Sequence, residues 1–133
     1  MASFRGILPT KLHHRQTRPR IVERPRLVEA LERCAALPLT LVQAPAGSGK
    51  STAVVAWLEH TRLPVAWLSL DPGDDSPMRF LAYLLAAVHG VEPRVGADVD
   101  AAEILAAPMV EELESALAEL LVIPLVARSE PLV

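Results

Sequence analysis

The sequence predicts an α/β domain organised on a parallel sheet, and three observations carry that reading. Two short apolar runs, Leu39-Thr40-Leu41-Val42-Gln43 and Val65-Ala66-Trp67-Leu68-Ser69-Leu70, have the length and composition of strands buried on both faces. Each is followed, after a loop or turn, by a stretch whose apolar residues recur at helical spacing. Between the first run and its helix lies a short loop of glycine, alanine and serine, Ala44 to Gly49. Strand, loop, helix, strand, helix is the order in which a parallel α/β domain opens.

The elements follow in order. Residues 1 to 24 are rich in arginine, histidine and proline, hold no sustained apolar period, and read as an extended basic arm. Met1 to Arg33 carries eight Lys/Arg against three Asp/Glu, whereas the remainder carries five against thirteen. Such an arm reads as solvated, packing against its own acidic body or beside a bound nucleotide. No aromatic residues interleave its charges as a stacking platform for single-stranded nucleic acid requires. Pro25 opens a helix at its tolerated first position, with Leu27, Leu31 and Cys34 on one face, and Pro38 ends it. After the first apolar run and the loop, a helix spans Lys50 to His60. Pro64 resets the chain before the second run. Asp71 to Pro77 is a dense turn signal, after which Phe80, Leu81, Leu84, Leu85 and Val88 mark an amphipathic helix closing near Gly90. Residues 91 to 99 read as a loop. Asp100 and Glu103 have capping-box spacing, and Val110, Leu113, Leu117, Leu120 and Leu121 keep a helical period. The expected organisation is an arm over 1–24, a partial domain over 25–121 and an atypical tail over 122–133.

Composition sets the class. The 133 residues suit one domain, and 51% hydrophobic with 22% charged residues is globular rather than disordered. Mean hydropathy is +0.30, yet no apolar run approaches the roughly 20 residues of a membrane-spanning helix. The longest, Leu120 to Ala127, contains Pro124. The N-terminus has no apolar core beside a small-residue cleavage site, and the single cysteine, Cys34, lies on a helical apolar stripe with no partner for an internal disulfide. These features point to a cytoplasmic protein without a membrane partner.

Ala44-Pro45-Ala46-Gly47-Ser48-Gly49-Lys50-Ser51 matches the phosphate-binding P-loop pattern, with Ala44 in place of the first glycine. Gly47 and Gly49 allow backbone angles closed to other residues, so that successive N–H groups of the loop turn inward on an anion. The helix that follows adds its unpaired N-terminal amides and the positive end of its dipole. Lys50 supplies a charge for the β- and γ-phosphates, Ser51 a hydroxyl for Mg²⁺, and Thr52 a hydroxyl and amide for the α-phosphate. The expected nucleotide contacts are therefore Ala44, Gly47, Ser48, Gly49, Lys50, Ser51 and Thr52, with Ser51 as the magnesium ligand. The fold expected around them is a partial P-loop NTPase with its parallel sheet between helical layers.

Hydrolysis also needs an acid beside the magnesium ion. Asp71, after the second apolar run, is the one candidate. The competing reading makes Asp71 the start of the Pro72-Gly73 turn, with Asp75 or Ser76 capping the helix that begins at Pro77. Without a clear second acidic motif, the expectation is ATP or ADP bound with Mg²⁺ and weak or no hydrolysis. The alternative is a small P-loop kinase, or a piece of another catalytic NTPase, with Asp71 as the acid. His13-His14 read as exposed, His60 and His89 as helix C-terminal residues suited to the dipole, and Trp57 and Trp67 as core.

Three separated stretches resemble the N-terminal region of MalT-type, LuxR-family bacterial transcription activators. They are Thr10-Lys11-Leu12 with Arg18-Pro19-Arg20-Ile21-Val22-Glu23-Arg24-Pro25-Arg26-Leu27, then Leu39 to Thr52, then Val65 to Asp75. In that family alanine is usual at the position of Ala44. The resemblance implies a multidomain signal-transduction ATPase that binds ATP in this module, senses an inducer through helical repeats and self-associates. Such a protein contacts DNA through a C-terminal helix-turn-helix that lies outside this sequence. It also implies that residues 21 to 26, with Val22 and Arg24, lie near the adenine. After Leu121 the family continues into a strand ending in paired aspartates. Here Val122 to Pro131 stands instead, weakly similar to a later strand with a sensing arginine at Arg128, as a truncation, frameshift or deletion joining produces.

Overall fold

A computed structural model describes residues 1–14, 22, 24–106 and 113–133. Its regular elements are helices: α1 (Pro25–Cys34), α2 (Lys50–Leu58), α3 (Pro77–His89), α4 (Ala101–Ala106), α5 (Leu113–Leu117), a π-helical stretch (Ala118–Val122) and α6 (Ile123–Val126), with short 3₁₀ turns at Pro9–Lys11 and Pro72–Asp74. The chain divides into two compact units, one of residues 1–14 and 64–132, the other of residues 15–63 with Val133.

The expected α/β architecture is overturned: among the described residues there is no strand and no parallel sheet, and the isolated bridge between Ser3 and Asp100 is all the strand pairing present. The reason is physical. An apolar, β-branched run states a preference for extended backbone, but a strand exists only when a neighbour supplies the other half of its hydrogen-bond ladder. Among the described residues neither apolar run has such a neighbour. Leu39 and Leu41 are more than 80% exposed. Among the described residues, residues 65–70 make one long-range backbone bond, from Ser69 N–H to the Lys11 carbonyl at 2.9 Å.

In the unit of residues 15–63, α1 packs on α2. The buried Trp57 donates its indole N–H to the Glu32 carboxylate. Both residues lie near the C-terminal ends of their helices. The connecting chain must therefore travel back along α2, about 13 Å for nine residues, before α2 can begin. Residues 35–49 supply ample chain for that distance.

The unit of residues 1–14 and 64–132 is built around α3. Ser76 caps it by accepting from Arg79 N–H at 3.4 Å, and Pro77 occupies the first turn. One flank of α3, with Ala82, Tyr83 and Ala86, packs with Ile7, Ala101, Phe4, Leu12 and Leu68. The other, with Leu81, Leu85 and Val88, meets Val95, Val99 and the apolar side of α5 through α6. Residues 1–14, where the sequence suggested an arm, are thus part of a core. Ser3 N–H donates to the Val99 carbonyl and the Ser3 carbonyl accepts from Ala101 N–H, both at 2.8 Å. Asp100 caps α4 through its carboxylate, which accepts from Ala102 N–H at 3.0 Å. The helical period seen around Leu113, Leu117 and Leu121 is realised, but Val110 lies outside the described residues. Pro124 explains the π-helical stretch before it: proline has no N–H for the Leu120 carbonyl and its ring crowds that carbonyl. The freed oxygen accepts instead from Gly96 N–H at 3.2 Å, and Gly96 reaches it with a positive φ of 62°.

Candidate functional site

The loop before α2 is built by its two glycines. Gly47 has φ 77° and Gly49 φ 85°, in the left-handed region that side-chain-bearing residues rarely adopt. Ser48 N–H, between them, donates to the Pro45 carbonyl at 3.3 Å, closing the turn. A side chain added at either glycine would meet nothing within 4 Å, so both face open space. Gly49 is also the residue at which α2 starts, and no side chain caps that start. The first bond of the helical ladder runs from Ala53 N–H to the Gly49 carbonyl at 2.9 Å. The amides of Lys50, Ser51 and Thr52 come before it, in the turn where a helix leaves its N–H groups without intrahelical partners.

Lys50 folds back over this turn. Its ammonium donates to the Ala44 carbonyl at 2.5 Å and to the Pro45 carbonyl at 2.9 Å. A positive charge therefore sits across the loop mouth, added to the partial positive charge of the α2 N-terminus. Ser51 and Thr52 are exposed in the first turn of α2. Ala44, Gly47, Ser48, Gly49, Lys50, Ser51 and Thr52 are thus brought together in one turn and one helix start. Val22 is exposed, Arg24 is the residue that precedes α1, and Ile21 and Glu23 lie outside the described residues.

Asp71 is held by other work. Its carboxylate accepts from Gly73 N–H at 2.8 Å and pairs with Lys11 Nζ at 2.8 Å. Asp74 completes the box around the 3₁₀ turn by accepting from Asp71 N–H at 2.9 Å. The side chain of Asp74 is almost wholly enclosed and also takes Lys11 Nζ at 2.6 Å and Arg79 Nε at 3.1 Å. Both cations lie over the Tyr83 ring, at 5.1 and 5.3 Å from its centre. Lys11 lowers the pKa of both carboxylates, bringing Asp74 down to about 2, and its own pKa is raised by hydrogen bonds to Asp71 and Asp74. A second cluster centres on the buried Glu92, which takes both Arg94 and Arg128, the latter at 2.7 Å. Arg94, with Arg128 behind it, brings Glu92 down to about 2. Sequence reasoning missed both clusters. The opposite charges of the first thirty residues and the rest pointed only in general terms to the contact that Lys11 makes.

The histidines have local roles. His14 stands edge-on to Trp67, with ring centres 5.6 Å apart. His60 Nδ1 bonds the Ala56 carbonyl, and His89 Nδ1 bonds the Val95 carbonyl, each at 2.7 Å. Among the described residues no group of His, Cys, Asp and Glu forms a metal-binding cluster, and no helix is long and apolar enough to cross a membrane.

The site and fold define a helical chain that carries a glycine turn at the head of a nine-residue helix. No family model matches the chain, and no solved structure matches it. Curated relatives do. The chain is 40% identical over 83 residues to the HTH-type transcriptional regulator MalT of Serratia proteamaculans. Identity is 34% over 82 residues to MalT of Vibrio cholerae serotype O1 and 36% over 83 residues to MalT of Cronobacter sakazakii. Each match covers 62% of this chain and 9% of the relative. Over that segment the chain is similar to MalT-type transcription regulators, and it spans about a tenth of their length.

Proposed function

We propose that this chain is the nucleotide-responsive segment of a cytoplasmic MalT-type transcription regulator, binding the phosphates of ATP or ADP at residues 44–52. The observation that carries the reading is the pair of left-handed glycines with open space on their outer side, running directly into an uncapped helix start. That arrangement presents amides and a dipole to an anion without requiring a sheet behind it. Lys50 would leave the Ala44 and Pro45 carbonyls to meet the β- and γ-phosphates, and the Ser51 hydroxyl would take Mg²⁺. The carboxylate of Asp71, committed to Lys11 and to Gly73 N–H, favours binding over turnover in this chain. Self-association and DNA contact would belong to the longer proteins it resembles.

Calorimetry with Mg–ADP and Mg–ATP tests the reading. Lys50→Ala removes the mobile charge and should weaken binding at least about tenfold, as loss of a charge-assisted contact does. Equal affinity in the wild type and Lys50→Ala would refute it.

A further inference from the structure

Resting on the nucleotide reading above, we propose that Glu32 and Trp57 are positioning residues for the phosphate loop. The loop is the end of the connection between α1 and α2, so its shape depends on how those two helices are held. A polar side-chain bond links them: the Trp57 indole N–H donates to the Glu32 carboxylate across the helix pair. Trp57 is 5% exposed and Glu32 is exposed, so the donor of this bond is buried while its acceptor reaches in from the surface. Lys50 lies seven residues before Trp57 on the same helix, about 10 Å along its axis. A rigid helix carries a displacement at one end to the other. Shifting α2 against α1 moves the amides of residues 50–52 relative to the turn at Gly47 and Gly49, and the two halves of the anion site no longer converge. Thr40 Oγ1 further ties the chain between the helices to the end of α1, donating to the Cys34 carbonyl at 3.2 Å.

The test uses the full chain with three variants and two readouts. Trp57→Phe keeps a buried ring and loses the donor, Glu32→Ala loses the acceptor, and Glu32→Gln keeps an acceptor oxygen for the indole. Calorimetry with Mg–ADP reads the site. The amide resonances of Gly47 and Gly49 in a two-dimensional NMR spectrum read the loop without any ligand. Circular dichroism confirms that each variant retains its helices. Trp57→Phe and Glu32→Ala should each weaken Mg–ADP about tenfold and move both glycine resonances, while Glu32→Gln restores both. A wild type that binds, beside variants of equal affinity or with unmoved glycines, overturns the positioning role and leaves the nucleotide reading intact. A folded wild type that binds neither ADP nor ATP removes the nucleotide reading, and the glycine resonances then decide the positioning role alone. If Glu32→Ala does not fold, Trp57→Phe and Glu32→Gln give the same decision.

Discussion

Replacing Gly49 by a graded series of residues tests whether the loop holds the backbone that the site needs. With φ at 85° and nothing within 4 Å of an added side chain, substitution there meets no steric clash, and the cost is conformational alone. For alanine a left-handed φ costs about 1–2 kcal/mol, offset by about 0.4–1 kcal/mol because alanine also restricts the unfolded chain. The net is about 1 kcal/mol. Asparagine tolerates this region and should cost less, and a β-branched valine should cost more. Urea unfolding followed by fluorescence measures it, in a Trp67→Phe background so that Trp57 alone reports on residues 15–63. At a slope of about 1 kcal/mol per molar urea, alanine should lower the midpoint by about 1 M. The order Asn, Ala, Val should hold from smallest to largest loss. A valine variant as stable as the asparagine one would show that residue 49 does not adopt a positive φ, and the anion site would lose its basis.

Three further outcomes are expected. Leu85→Ala, at a fully buried position of α3, should cost about 3 kcal/mol in urea unfolding, against a smaller loss for the half-buried Leu84→Ala. Glu92 has a pKa of about 2 against an ordinary 4.5, so its pairing with Arg94 and Arg128 stabilises the fold above about pH 4.5 and fades as pH falls through about 2. The gap in thermal midpoint between wild type and Glu92→Gln should therefore close on acidification. Chelating magnesium should weaken ADP binding by wild type severalfold and leave Ser51→Ala, already weakened, unchanged.

The helices were largely legible because their signals are local. Pro25 and Pro77 mark two starts, Ser76 and Asp100 cap as their side-chain chemistry predicts, and Leu81, Leu85 and Val88 fall on one buried stripe. The turn at Gly47 and Gly49 was equally legible, since only glycine suits such angles. The sheet was not, because Leu39 to Gln43 and Val65 to Leu70 record a preference that needs a partner, and pairing is not written within a run of six residues. The Asp71 turn was open between two readings in the sequence. Its bonds to Lys11 and Gly73 needed three-dimensional information, because sixty residues separate Lys11 from Asp71. The Glu92 cluster joins residues 36 positions apart and had no sequence signature at all.

The division of the chain has a consequence for its biogenesis. Residues 1–14 belong with residues 64–132, and the segment between them forms a compact unit of its own. On a ribosome adding about 5–20 residues each second, Lys11 emerges some 3–12 s before Asp74 exists to receive it. During that interval Phe4 and Ile7 have no α3 to cover them, while residues 15–63 of the glycine-bearing unit are made in full. Vectorial synthesis thus favours maturation of the middle first, with the leading end waiting as an exposed apolar tail for chaperones until translation reaches α3.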